Sequence, residues 1–156
     1  MRNGTKFFGF AGALLLALGA LAAAPKAAKP VQKDVVRPAE TIQWKDGPVQ
    51  GTHVADLWGG MDKGGPYGVL IKFDAGLMHA LHWHSRDLKI VVLSGTFVHE
   101  PKGAAQTRLG PGSYLLQAGG NKHVSGCAPG ADCVFFMTSS DKFDMTMVGG
   151  APSGKK

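Results

Sequence analysis

Three of the chain's six histidines, His79, His82 and His84, fall within six residues, and a fourth, His123, follows in a separate glycine-rich stretch. Imidazole transfers protons near neutral pH and holds zinc, iron, copper or nickel. His82 and His84 are two apart, so on a strand both rings share one face and Trp83 takes the other. Such a pair can grip one divalent ion if a third ligand arrives from elsewhere in the chain. It is equally what polar residues on an open sheet face look like, so the pair alone leaves both readings standing. His79 lies three before His82 and is expected on the opposite face, at the surface or rim. His53 and His99 fall near strand ends and are expected in solvent. No paired carboxylates and no nucleophile with an adjacent base accompany the histidines, so no catalytic residue and no reaction class follow.

Cys127 and Cys133 flank Ala128-Pro129-Gly130-Ala131-Asp132, and Pro-Gly is a strong turn signal. The expected state is a disulfide across that turn, as suits a chain that meets an oxidising compartment. Two free thiols, or Cys127 as a metal ligand near His123, are the alternatives.

The elements that must position these residues read as strands. Val69, Ile71 and Phe73 share one face, and Phe143, Met145 and Met147 share another. Thr41 to Lys45 alternates around Ile42 and Trp44 and is expected to be a strand. Leu88 to Leu93 is a nearly continuous apolar run, expected to be buried on both sides, and Val134 to Met137 is similar. Trp58, Trp83, Phe135 and Tyr114 read as packing residues, and Arg86 and Asp87 as a polar turn. Turn signals such as Asp46-Gly47-Pro48 and Gly110-Pro111-Gly112 recur, and no stretch of the body keeps a helical period for long. The body, residues 41–148, is therefore all-β, a sandwich or barrel of about eight to eleven strands.

The formal charge of +6 suggests nucleic acid until it is located. Residues 1–40 carry +4, the tail 149–156 carries +2, and the body is neutral, with no basic patch; nucleic acid is not an expected partner. Arg2 and Lys6 precede an uncharged run from Phe7 to Ala24 that ends in small residues, the pattern of a secretory signal peptide over residues 1–24. Ala20-Leu21-Ala22 offers a small-x-small cleavage pattern. The expected destination is the periplasm or the cell exterior, with no stable membrane anchor after cleavage. An uncleaved anchor is the rival, weakened by the run's Gly and Ala content. Residues 25–40, with three prolines and few apolar side chains, read as a linker, and 149–156 as a flexible tail.

The spacing of glycines and histidines resembles the cupin superfamily. Gly76, five residues, then His82-Trp83-His84, and later Gly95, parallels its first motif. Gly112, five residues, Ala118-Gly119-Gly120, two residues and His123 parallels its second. The resemblance covers residues 66–138 and implies a cupin-type double-stranded β-helix, the jelly-roll barrel also called RmlC-like. It implies His82, His84 and His123 as metal ligands pointing into the barrel. The family's glutamate ligand falls at Leu88, with Asp87 able to replace it only through a local shift; Ala118 stands for a proline and Cys127 for an asparagine. A group of cupin-like domains lacking that glutamate is similar at Leu57-Trp58-Gly59, Gly65-Pro66 and Val91-Val92-Leu93-Ser94-Gly95.

The resemblance leads to an exported cupin-domain protein that binds a divalent metal (Fe, Zn, Mn, Ni or Cu) through three histidines, with water in the open position, and acts on a small molecule. Oxygenase, isomerase and hydrolase chemistry all stay open. The alternative is a non-catalytic periplasmic domain that binds or senses a metal or a small ligand. Pairing of barrels into a homodimer is a third role.

Overall fold

The computed structural model describes Met1 and residues 33–149. The expected signal peptide apart from Met1, the first half of the linker (25–32) and all of the tail but Gly149 lie outside the described residues. Arg37 onward folds as one unit. A 3-10 turn, Ala39–Thr41, leads into eleven strands: β1 (Lys45–Asp46), β2 (Thr52–Trp58), β3 (Tyr67–Phe73), β4 (Met78–Trp83), β5 (Leu88–Ser94), β6 (Phe97–Pro101), β7 (Thr107–Leu109), β8 (Tyr114–Gln117), β9 (His123–Cys127), β10 (Cys133–Ser139) and β11 (Thr146–Met147). No helix among the described residues is long and apolar enough to cross a membrane.

The strands form two antiparallel sheets, ordered β1-β2-β3-β10-β5-β8 and β11-β4-β9-β6-β7. This is the jelly-roll architecture that the motif spacing implied. Alternation explains the first sheet. Tyr67, Val69, Ile71 and Phe73 of β3 and Phe135 and Met137 of β10 all point into one core, and Val54, Leu88, Ile90, Val92 and Phe97 join them. Phe135 sits edge-on to Phe73 at 5.0 Å, with Phe97 4.9 Å away, so three aromatic rings interlock at its centre.

Three expectations about elements are corrected. Leu88 to Leu93 is not buried on both sides: Leu88, Ile90 and Val92 face inward, while Lys89 and Leu93 are exposed. The β5 run mixes an inner face with an outer face that no second layer of the described residues covers, and Tyr114 on neighbouring β8 is likewise exposed rather than packed. Thr41 to Lys45 is not a strand. The 3-10 turn takes Thr41, pairing begins only at Lys45, and Trp44 lies outside with the Lys72 ammonium 5.7 Å from its ring centre. Phe143 and Met145 do line one wall together, but only Thr146 and Met147 find ladder partners, on β4.

Two glycines are dictated by geometry. Gly95, between β5 and β6, has φ +74° and a Cβ there would meet the Asp132 carbonyl oxygen. Gly126 lets β9 press against β4, since a Cβ would strike the Leu77 carbonyl and the Met78 backbone. That close approach brings β4 and β9, and their histidines, together.

Cys127 and Cys133 are joined as a disulfide, as their spacing suggested, and both are fully buried. The bridge ties the end of β9 in one sheet to the start of β10 in the other. Cys127 is thereby not a metal ligand.

Candidate metal centre

His82 and His123 face each other across the β4–β9 ladder, and His84 follows just past the end of β4. One ring nitrogen from each of the three lies within 4.8 Å of the others. Ring centres are 4.3 Å apart for His82 and His123, 5.1 Å for His82 and His84, and 5.3 Å for His84 and His123. All three are buried, with His82 and His123 at 1% exposure.

Each ring is held the same way. Nδ1–H of His82 donates to the Ala80 carbonyl (2.7 Å), that of His123 to the Asn121 carbonyl (2.9 Å), and that of His84 to the Asp144 carbonyl (2.5 Å). A carbonyl acceptor at Nδ1 fixes the tautomer that leaves Nε2 unprotonated, the form that binds a metal. Asp144 is pinned in turn: its carboxylate accepts the Ser85 backbone N–H at 2.8 Å and the Ser85 hydroxyl. Phe143 packs beside His84, ring centres 5.1 Å apart. Nε2 of His123 is buried without a partner, which is costly unless something binds it. Burial pushes all three histidines below their ordinary pKa, His123 to about 4, so they stay neutral at physiological pH.

The donor set is compatible with a divalent metal. Three neutral imidazoles with backbone-anchored Nδ1 atoms are what zinc or iron chemistry asks of a protein. The 4.8 Å spread is wider than the roughly 3–4 Å between donors on one tetrahedral ion, so gripping an ion draws the rings together.

His79 overturns its expected place. It is 9% exposed and points inward, with Phe73 at 4.8 Å and His82 at 5.8 Å. A bulge is the reason. Between the pairs His79↔Ser125 and His82↔His123, β4 spends one more residue than β9, so the face inverts and both histidines look into the barrel. Burial lowers the His79 pKa to about 4, and its Nε2 lacks a partner. His99 is corrected too: it is half-buried in β6, its ring 5.2 Å from His123 and its Nδ1 without a partner. His53 stays away from the site, bonded to Asp74 at 3.1 Å.

Position 88 is apolar in fact as well as in sequence. Leu88 is 2% exposed and lines the cavity. Asp87 does not replace the missing carboxylate, because it is exposed and accepts the Gly119 N–H at 2.8 Å. The cavity beside the histidines measures about 510 Å³, counting space open to solvent, and is walled chiefly by Phe, Met, Leu, Ile and Val. Gln117 also reaches it, 4% exposed and opposite Leu88 in the β5–β8 ladder. Sequence reasoning missed Gln117. The signal was period two from Leu115, whose side chain shares the inner face.

The ChrR cupin-like domain model matches residues 32–142. No curated protein matches the chain. Among solved structures it is similar to the polyketide cyclase RemF from Streptomyces resistomycificus, with a TM-score of 0.64 and 18% identity over 78% of this chain and 89% of that one. An RmlC-like cupin from Shewanella frigidimarina matches at TM-score 0.56 and 19% identity, covering 69% of this chain and 91% of that one. A structure of Rhodobacter sphaeroides SigE in complex with the anti-sigma ChrR matches at TM-score 0.53 and 23% identity, over 67% of this chain but 51% of that one. These likenesses are of fold, and the fold is the two-sheet barrel described above. With the family model matched across most of its length and both cupin motifs in place around one cavity, this chain belongs to the ChrR cupin-like domain family.

Proposed function

We propose that this protein binds one divalent metal ion through His82, His84 and His123 and uses it to act on a small molecule inside the barrel. One observation carries the reading: three buried imidazoles converge, each with Nδ1 committed to a backbone carbonyl and Nε2 left over. The metal would supply Lewis acidity or an activated water. The chain's own part is to orient the rings, keep them neutral and wall the reaction from bulk water with Phe97, Phe135 and Phe143. The structurally similar polyketide cyclase RemF is an enzyme, which favours catalysis in a barrel of this shape. The chain is further proposed to be exported, on its N-terminal basic and apolar pattern and its disulfide.

Elemental analysis of untagged protein tests the metal. Near one equivalent of Zn, Fe, Mn, Ni or Cu, lost in the His82→Ala/His84→Ala double variant, is the expected result. No metal in either protein after reloading would sink the reading.

A second reading is a domain that binds or senses without turnover. It is favoured by the cavity lining, which among the described residues holds no acid, no lysine and no nucleophile–base pair. Steady product formation from any bound molecule would exclude it.

A further inference from the structure

We infer that the cavity takes a small, mostly apolar organic carboxylate, and that the Gln117 carboxamide hydrogen-bonds this group beside the three histidines. The inference rests on the metal reading above and names the ligand class for the same site.

Charge is the first argument. Among the described residues, no Asp, Glu, Lys or Arg side chain lines the cavity. A divalent ion held by three neutral imidazoles would keep both of its charges, in a cavity whose wall includes Leu88, Phe135 and Met137. A buried charge without a counter-charge is costly by several kcal/mol. Since the described cavity wall offers no anion, the counter-charge comes from a metal-bound hydroxide or from an anionic ligand that displaces it, and a carboxylate can do the latter.

Position is the second. Leu88 stands where a carboxylate would neutralise the ion, and its ladder partner on the inner face is Gln117. Side chains paired this way start about 5 Å apart. Gln117 therefore occupies the neighbourhood of the missing carboxylate but carries no charge. Its amide can donate a hydrogen bond, which a glutamate there could not.

The third is an unmet donor. Gln117 is 4% exposed, yet its Nε2 has no hydrogen-bond partner. Such a group costs about 1–3 kcal/mol until an acceptor arrives. One carboxylate oxygen on the metal and the other on Gln117 Nε2 would meet both demands at once. The rest of the ligand must be apolar, because Phe97, Phe143 and Met145 leave it few polar contacts.

The test uses the zinc-loaded protein and isothermal calorimetry. Benzoate and octanoate are titrated against benzamide and octanamide, which match them in shape without the charge. At least one carboxylate should bind about ten-fold or more tighter than its amide. Gln117→Leu should weaken that binding about five-fold or more with zinc stoichiometry unchanged. Gln117→Glu should hold zinc at least as tightly and lose the preference for the acid, since the protein then carries the counter-charge. Amides binding as well as acids, no binding of either acid, or Gln117→Leu binding like the wild type would each overturn the inference and leave the metal reading intact. Failure to take up zinc or any of the other four metals would overturn both.

Discussion

The five-stranded sheet or its immediate continuation carries every interior histidine, whereas the six-stranded sheet supplies most of the apolar wall that faces them. His79 and His82 lie on β4, His99 on β6 and His123 on β9, with His84 one residue beyond β4. Opposite them stand Val54, Tyr67, Ile71, Leu88, Ile90, Phe135 and Met137, and among the described residues that sheet's polar side chains on the cavity are Thr52 and Gln117. Their regularity differs as well. β3 and β10 pair residue for residue along seven positions, while β4 and β9 slip by one in the middle. Among the described residues, six buried polar side-chain atoms lack a partner, and four belong to His79, His99, His123 and Gln117. Unmet polarity thus gathers in the histidine cluster and on the cavity wall beside it, where a ligand can satisfy it.

The largest effect expected is on the apolar side. Phe135→Ala removes the ring between Phe73 and Phe97 and should cost about 3–5 kcal/mol in urea unfolding. Metal stoichiometry of the protein that stays folded should not change, because every anchoring carbonyl lies elsewhere. His82→Ala should do the reverse. Metal affinity should fall about 100-fold or more, near 2.7 kcal/mol, while unfolding of the metal-free protein shifts less than for Phe135→Ala. If both variants lose metal and stability in equal measure, the division between the sheets is not real.

That division also explains what could be read from the sequence. The inner face of β3 was plain, because Val69, Ile71 and Phe73 alternate without interruption and the alternation survives in the fold. His82, His84 and His123 were legible through motif spacing. His79 was not, because counting by two assumes a flat ladder and the bulge in β4 adds a residue that no side chain announces. His99 was placed in solvent because strand membership says nothing about which neighbour stacks on a ring; His123, twenty-four residues away, decides it. Leu93 and Tyr114 show the converse. Their apolarity suggested burial, but they lie on the outer face of the six-stranded sheet, where among the described residues nothing covers them.

The link between the sheets is the Cys127–Cys133 bridge. Replacing both cysteines by alanine should cost about 2.4 kcal/mol by the loop-entropy relation, read as a lower denaturant midpoint with unchanged slope. Acid should act chiefly on the histidine side. Burial holds His79 and His123 near a pKa of about 4 in the folded protein, against an ordinary value of 6.5. Above pH 7 neither state binds these protons. As pH falls from about 6.5 toward about 4 the unfolded chain takes them up first, so the metal-free protein loses stability across that window, by up to roughly 3 kcal/mol for each of the two buried rings. A midpoint that rises or stays flat between those pH values would contradict a buried, neutral cluster.

The smallest effect separates His79 from the three proposed metal ligands. Its ring lies edge-on to Phe73 at 4.8 Å, so much of its surface already makes the contacts of an aromatic core residue. It lacks the backbone-carbonyl bond at Nδ1 that orients His82, His84 and His123, and it is absent from the cluster whose donors converge within 4.8 Å. His79→Phe should therefore keep the edge contact, remove the unpartnered Nε2 and leave metal affinity within about three-fold of wild type. Stability of the metal-free protein should hold or rise slightly, since a buried ring nitrogen without a partner is exchanged for an apolar ring. Loss of metal on the scale of His82→Ala would instead make His79 a fourth ligand. The bulge in β4 would then serve coordination directly, rather than completing the wall of the cavity.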